Sequence, residues 1–134
     1  MIATRASDNL IAVAYVNAVG GQDELVFDGG TMVFDAEGRL LANGPQFEES
    51  LVVVDIDVHA VSQRRLHDPR RRVELRDVDL PDTVERIDIG FAIPESPGDA
   101  RPPLVAALGP EEEVWRALVL ATRDYMAKTG FKQA

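Results

Sequence analysis

Three carboxylates lie close together in the sequence, between two pairs of glycines. Asp23, Glu24 and Asp28 follow Gly20-Gly21 and precede Gly29-Gly30. Glycines let a backbone approach a ligand closely, and carboxylates accept hydrogen bonds from an amine or amide and can exchange protons. The pattern therefore suits a binding loop for a nitrogen-containing ligand. A solvated loop whose glycines serve only the turns explains the same residues, and the pattern alone favours that simpler interpretation.

Other residue types exclude several kinds of catalytic site. The chain has no Cys, so it carries no disulfide, thiolate metal ligand or Cys nucleophile. Its two histidines, His59 and His67, lie apart from any recognisable Ser nucleophile, and they are too few for a multi-His metal site. We expect both to be structural or surface residues. No calcium-binding, dinucleotide or phosphate-loop spacing occurs.

Arginines crowd one short stretch around Pro69, where they could suggest phosphate or nucleic-acid binding. No aromatic residue lies among them and acidic segments flank them, so a docking arm or a solvated linker is the favoured interpretation. The net charge of -9 also argues against a general binder of nucleic acid or anionic membranes. These arginines are Arg64, Arg65, Arg70, Arg71, Arg72 and Arg76.

Length and composition are those of one ordinary globular domain. The 134 residues are 46% hydrophobic and 28% charged, which excludes a wholly disordered chain. No apolar run reaches the roughly 18–20 residues of a membrane helix. The N-terminus lacks the apolar core of a signal peptide, so we expect a cytoplasmic protein.

The N-terminal half predicts short strands separated by turns. Leu10–Asn17 is apolar on both faces, which is typical of a strand covered on both sides of its sheet. Gly38 can adopt the positive φ that a hairpin turn often needs. The other predicted elements are the end of a helix over residues 1–9, hairpin strands Thr31–Asp35 and Arg39–Ala42, a strand over Leu51–Val58, a short helix over residues 59–67 with Val61 and Arg65 on one face, and a short strand over Ile87–Phe91.

The C-terminal part predicts one amphipathic helix over Pro110–Lys128. Pro110 suits the first helical turn, three glutamates follow it, and Gly130 is a natural C-cap. Trp115 and Tyr125 suit packing anchors, whereas an exposed aromatic stripe would mark a partner surface. The predicted apolar stripe is Val114, Leu118, Ala121 and Tyr125, widened by Trp115, Val119 and Thr122.

Several stretches along the chain carry a resemblance to a known family. Asn9–Asn17 followed by Gly20–Gly30 resembles the carboxy-terminal part of the glutaminase domain of glutamine-dependent NAD⁺ synthetases, a nitrilase-like member of the carbon–nitrogen hydrolase superfamily. The resemblance continues through the hairpin, the Leu51–Val58 segment and Arg65–Arg72. Leu108–Phe131 is similar to the opening helix of the family's synthetase domain.

The resemblance implies a chain that carries neither active site of the family. In the family, a Glu, a Lys and a Cys nucleophile release ammonia from glutamine. ATP, with Mg²⁺, then activates nicotinic acid adenine dinucleotide for amidation. This sequence has no Cys and no Ser-Gly-Gly pyrophosphate loop, so we expect no catalytic residue, bound metal or cofactor, and no activity of the chain alone. Family order would place the missing groups before Met1 and after Ala134. The resemblance leaves Gln22, Asp23, Glu24, Phe27 and Asp28 as candidates for lining the glutamine pocket or the ammonia route.

The expected fold class is α+β. It comprises a partial nitrilase-like α-β-β-α sandwich (strand, hairpin, strand), a Pro/Arg-rich connector and one amphipathic helix. We expect residues 1–66 to belong to the glutaminase domain, 67–107 to a linker and 108–134 to the synthetase domain. The implied partners are the remainder of the synthetase and further copies in a homo-oligomer. A stand-alone protein-binding module and a piece of another nitrilase-family hydrolase remain the alternatives.

Overall fold

The computed structural model describes residues 1–69, 87, 90 and 102–133. Within them the protein is α+β, as predicted, with small antiparallel sheets and three helices. No helix in this described part is long and apolar enough to cross a membrane. The elements are α1 (Ile2–Asn9), β1 (Val13–Tyr15), β2 (Val19–Gln22), β3 (Leu25–Asp28), β4 (Met32–Phe34), β5 (Leu40–Asn43), α2 (Val58–His67) and α3 (Pro110–Thr129).

The larger sheet has the strand order β1-β4-β5, and both pairings are antiparallel. The predicted hairpin is confirmed as β4–β5, in which Val33 pairs with Ala42. Gly38 in its turn has φ 78°, and a Cβ there would lie 2.6 Å from the carbonyl oxygen of Ala3 in α1. Glycine therefore serves both the turn and the close approach of α1.

A small core lies between α1 and this sheet. Ala6 and Ala42 are fully buried, and Leu10, Val33 and Ala36 are at most 8% exposed. Two of these residues lie in α1 or at its end, and two lie in the strands β4 and β5. Because most of these side chains are small, hydrophobic burial here gives only modest stabilisation.

Two predicted strands differ from the structure. Leu10–Asn17 was expected to be covered on both faces, but only Val13–Tyr15 is a strand and Val16 is 75% exposed. β1 lies at the edge of the sheet, where it pairs only with β4 among the described residues, and its residues Ala14 and Tyr15 are exposed. The predicted strand Leu51–Val58 is also wrong: residues 51–57 contain no regular element, and α2 begins at Val58. Leu51 is 90% exposed. An apolar run becomes a strand only where a neighbouring strand pairs with it, and the described residues supply none there.

Helix α2 confirms the predicted short helix and begins at Val58. The carboxylate of Asp57 caps it by accepting the Ala60 N–H at 2.9 Å. Val61 and Arg65 are its partly buried residues, as expected. The Arg65 Nε donates to the Leu10 carbonyl oxygen at the end of α1 (2.9 Å), so the two helices are tied together.

Helix α3 confirms the predicted C-terminal helix. It begins at Pro110 after the Gly109 cap and ends at Thr129 before Gly130, whose φ is 79°. The predicted buried stripe is wrong for most of its members, because Val114, Leu118 and Tyr125 are each more than half exposed. The buried residue is Leu120, which is 3% exposed, and Ala121 beside it is half-buried. The remaining stripe residues Trp115, Val119 and Thr122 are also exposed.

The predicted strand Ile87–Phe91 and most of the predicted linker lie outside the described residues. Residues 102–109 contain no regular element. They are fixed to the sheet at Val105, because the Asn43 side chain in β5 donates to the Val105 carbonyl and accepts its N–H, both at 2.8 Å. A side-chain amide here makes the two hydrogen bonds that a neighbouring strand would make.

Candidate functional site

The stretch interpreted as a glycine-framed loop is a β-hairpin, which corrects that expectation. Strands β2 and β3 pair with Gly21 opposite Val26 and Gln22 opposite Leu25. Asp23 and Glu24 form the two-residue turn, and Asp23 has φ 53°. Aspartate tolerates this left-handed conformation, whereas glycines within strands hide the usual strand pattern in the sequence.

The five candidate site residues divide between the two ends of this hairpin. Gln22, Asp23 and Glu24 are exposed at its tip. Phe27 and Asp28 are half-buried at its base, about 10 Å away along the strand. The structure therefore does not bring the five residues into one pocket.

Asp28 is the centre of a polar cluster at the hairpin base. The Asn17 amide donates to Asp28 Oδ1 at 3.0 Å, and the Gln46 amide donates to Asp28 Oδ2 at 3.5 Å. Gln46 Nε2 also lies 3.4 Å from Glu113 Oε1 on α3. Two carboxylates and two amides thus converge from three separate parts of the chain. Such a set can hold an amide or ammonium group by exchanging partners with it.

The backbone around Asp28 is held in uncommon conformations. Phe47 has φ 61°, and its N–H donates to the Asp28 carbonyl at 2.7 Å. A bulky residue with positive φ is strained and persists only when its surroundings enforce it. The Gly29 N–H donates to the Ala18 carbonyl at 2.8 Å, which closes the hairpin base.

A cleft of about 210 Å³ lies beside this loop, between it and α3. Trp115 and Phe47 contribute aromatic walls, and Arg116 and Arg123 contribute charge. Arg116 is engaged by Glu112 (2.6 Å) and by Glu48 (3.2 Å). The complete lining is Phe47, Glu48, Trp115, Arg116, Val119, Leu120 and Arg123.

The glycine pair at the start of the hairpin lies against helix α3 rather than forming an open loop. The Gly21 N–H donates to Asp124 Oδ2 at 2.8 Å, and a Cβ on Gly21 would lie 2.8 Å from the Ala121 Cα. The hydrogen bond from Gly21 and the neighbouring Arg123 hold the pKa of Asp124 below its usual value. At the hairpin tip, Asp23 pairs with Lys128 at 3.3 Å.

The described residues do not bring metal-ligating side chains together. His59 and His67 are exposed, as expected, and His67 Nδ1 lies 2.8 Å from the Gln63 carbonyl oxygen. No group of three or more metal-ligating side chains occurs in this described part.

Asn17, Gln46 and Glu113 belong to the Asp28 cluster, and sequence reasoning did not find them. Asn17 and Gln46 carry no charge and lie outside the acidic segment, while Glu113 was assigned only to the helix start. The position of the Asn17 amide at the end of the predicted strand Leu10–Asn17 was the one available signal.

Comparison with known proteins first indicates the class of protein to which the N-terminal part is similar. Residues 1–66 match the family model described as carbon-nitrogen hydrolase. The mixed α+β fold with its antiparallel hairpins agrees with a partial nitrilase-like fold.

Nearly the whole chain is similar to segments of glutamine-dependent NAD⁺ synthetases, and the predicted resemblance is confirmed. It is 41% identical to the enzyme of Thermotoga maritima, over 98% of this chain and 22% of that protein. It is 40% identical to the enzyme of Aquifex aeolicus, over 97% of this chain and 22% of that protein. The chain thus spans about a fifth of the length of these relatives.

A solved structure agrees with this relationship. The glutamine-dependent NAD⁺ synthetase from Acinetobacter baumannii, in complex with adenosine diphosphate, superimposes with a TM-score of 0.63. The two proteins are 25% identical, and the match covers 97% of this chain and 18% of the other. The sequence comparisons and the structural comparison therefore both support the predicted fold and the predicted resemblance to a segment of this enzyme.

Proposed function

We propose that this chain forms the connecting segment of a glutamine-hydrolysing NAD⁺ synthetase. Its N-terminal part supports the glutamine-hydrolysing site. Helix α3 is the first helix of the part that amidates nicotinic acid adenine dinucleotide. The chain itself supplies no nucleophile, because it contains no Cys. The activating ATP and Mg²⁺ are held elsewhere in the complete enzyme, which works in the cytoplasm as a homo-oligomer.

The observation that carries this proposal is the continuous similarity of the chain to one enzyme. The match to the Thermotoga maritima protein covers 98% of the chain, so it includes both the hairpin and α3. In the structure these two parts are in direct contact through Gly21 and Asp124. If the chain were a piece of another nitrilase-family hydrolase, we would not expect α3 to match an NAD⁺ synthetase.

Within this function, the Asp28 cluster is the best candidate for lining the glutamine pocket or the ammonia route. Its amides and carboxylates suit an amide or ammonium group, and they lie where the hairpin base meets α3. Gln22, Asp23 and Glu24 are weaker candidates, since they are exposed at the other end of the hairpin. Phe27 precedes Asp28 on β3, so its side chain points to the opposite face of the strand, and it is also a weaker candidate.

A segment exchange tests the proposed function. The matching segment of the Thermotoga maritima enzyme is replaced by residues 1–133, and NAD⁺ formation is measured with glutamine and, separately, with ammonium. We expect the hybrid to use both nitrogen sources. A hybrid that uses ammonium but cannot use glutamine would contradict a role in the glutamine-dependent reaction. The stand-alone module would gain support if the chain alone bound an intact synthetase with fixed stoichiometry.

A pair of variants tests the candidate site in the same hybrid. We expect Asp28→Ala to lower glutamine-dependent NAD⁺ formation at least tenfold, because it removes the acceptor at the centre of the cluster. Glu24→Ala, at the exposed tip, is the matched control and should change it less than twofold. Equal effects of the two variants would contradict the assignment of Asp28.

A further inference from the structure

The contact between α3 and the β2–β3 hairpin is unusually close for a helix against a strand. A Cβ on Gly21 would lie 2.8 Å from the Ala121 Cα and 3.4 Å from the Ala121 carbonyl oxygen. The φ of Gly21 does not require glycine, as it is not among the positive-φ positions. The absence of a side chain at position 21 is therefore explained by the approach of α3.

A charged hydrogen bond fixes this close approach. Asp124 Oδ2 accepts the Gly21 N–H at 2.8 Å, and Arg123 Nε donates to Asp124 Oδ1 at 3.0 Å. Both carboxylate oxygens are thus used, and one of them holds the backbone of β2 itself. A hydrogen bond from a backbone N–H to a carboxylate is stronger than one between neutral groups.

Further contacts along α3 reach the same part of the chain. Lys128 pairs with Asp23 at the hairpin tip (3.3 Å), and Arg116 pairs with Glu48 (3.2 Å). These two ion pairs are exposed and each contributes little on its own. Of these three contacts, the one between Gly21 and Asp124 combines a charged acceptor with close packing of the backbone.

We infer that Asp124 is a positioning residue that fixes α3 on the glycine pair of the hairpin and thereby keeps the glutamine-hydrolysing part aligned with the amidating part. This inference rests on the proposed function. A structural role alone would lower every activity equally. A positioning role lowers the use of glutamine, which needs both parts aligned, more than the use of free ammonium, which needs only the amidating part.

The first test measures the contact in the 134-residue chain. We expect hydrogen exchange at the Gly21 amide to become roughly tenfold faster in Asp124→Asn, since a neutral amide oxygen, which is a weaker acceptor, replaces the carboxylate. Glu111→Gln is the matched control: it removes a carboxylate from the same helix, where the Glu111 side chain is exposed and makes no hydrogen bond or ion pair with the described residues. Unchanged exchange in Asp124→Asn would contradict the inference.

The second test uses the hybrid enzyme described above and separates this inference from the proposed function. We expect Asp124→Asn to lower the ratio of glutamine-dependent to ammonium-dependent NAD⁺ formation about fivefold or more, with the ammonium rate changed less than twofold. Gly21→Ala should do the same, because its methyl group would push against the backbone of Ala121. If the unsubstituted hybrid cannot use glutamine, the proposed function fails. If the unsubstituted hybrid uses glutamine and both variants leave the ratio of glutamine-dependent to ammonium-dependent NAD⁺ formation unchanged, Asp124 is not a positioning residue.

Discussion

At the scale of single residues, Asp35 shows how one carboxylate organises a turn. Its Oδ1 accepts the N–H groups of Glu37 and Arg39, both at 2.9 Å, and its Oδ2 accepts the Arg39 Nε at 2.6 Å. Partial burial of Asp35 opposes its ionisation, but these hydrogen bonds outweigh burial and hold its pKa below the usual value. Glu37 in the same turn pairs with Arg64, so the turn also fixes α2.

Removal of this carboxylate should destabilise the fold. We expect Asp35→Ala to lower the free energy of unfolding by about 1–3 kcal/mol, the usual cost of losing hydrogen bonds to a charged group. Urea unfolding followed by circular dichroism measures this difference. Asp8→Ala, at an exposed position of α1, is the control and should cost less than about 0.5 kcal/mol. A cost for Asp35→Ala no larger than that of the control would contradict the role of the turn.

The lowered pKa of Asp35 also predicts a dependence of stability on pH. A carboxyl group whose pKa is lower in the folded state stabilises the protein above its unfolded pKa, and that contribution is lost as the pH falls through the folded pKa. We therefore expect the difference in unfolding free energy between the wild type and Asp35→Asn to be constant from pH 7 to pH 5 and to shrink below about pH 4. A difference that stays constant down to pH 2 would contradict this prediction.

At the scale of elements, α3 has two different faces. Leu120 is buried and Asp124 contacts the hairpin, whereas Leu118 is 59% exposed on another side. The sequence predicted the limits of the helix well, because Pro110 and Gly130 mark its ends through local backbone preferences. It did not predict which face is buried. Apolar residues surround most of the helix, and the choice depends on a partner that is distant in sequence.

Two leucines on α3 provide a matched test of these faces. We expect Leu120→Ala to lower the free energy of unfolding of the chain by about 2–4 kcal/mol, the usual cost for a buried leucine. Leu118→Ala, which removes the same atoms from an exposed position, should cost less than about 1 kcal/mol. Equal costs would place the buried face of α3 elsewhere.

The strands were harder to predict than the helices, for a physical reason. The hairpin around Gly38 was correctly predicted because its turn signal and both of its strands are adjacent in sequence. The β2–β3 hairpin was missed, since glycines in β2 weaken the strand pattern, and Leu51–Val58 was wrongly predicted as a strand because no described neighbour pairs with it. The Asp28 cluster combines residues from three separate segments, which no local pattern reveals.

At the scale of the whole molecule, much apolar surface is exposed. Trp115, Leu118 and Tyr125 on α3 are 56–66% exposed, and Leu51 and Val53 are exposed near the sheet. No large side chain is fully buried among the described residues. Large apolar side chains exposed along one helix are typical of a face that another part of a protein covers.

This surface predicts that the chain alone is marginally stable or self-associates. We expect its weight-average mass in sedimentation equilibrium to rise with concentration. Leu118→Glu should reduce that rise, since it places a charge in the centre of the exposed face of α3. A chain that stays monomeric and unfolds in one sharp transition would contradict this expectation.

Under the proposed function, this chain links glutamine hydrolysis to amidation within the complete enzyme. The most direct measurement supplies the hybrid enzyme with glutamine labelled with ¹⁵N at the side-chain amide, together with an equal concentration of unlabelled ammonium. The label in the carboxamide of the NAD⁺ formed is then read by mass spectrometry. We expect most of the product to carry ¹⁵N, because nitrogen released from glutamine passes directly to the amidating part. Product containing almost only unlabelled nitrogen would contradict the claim.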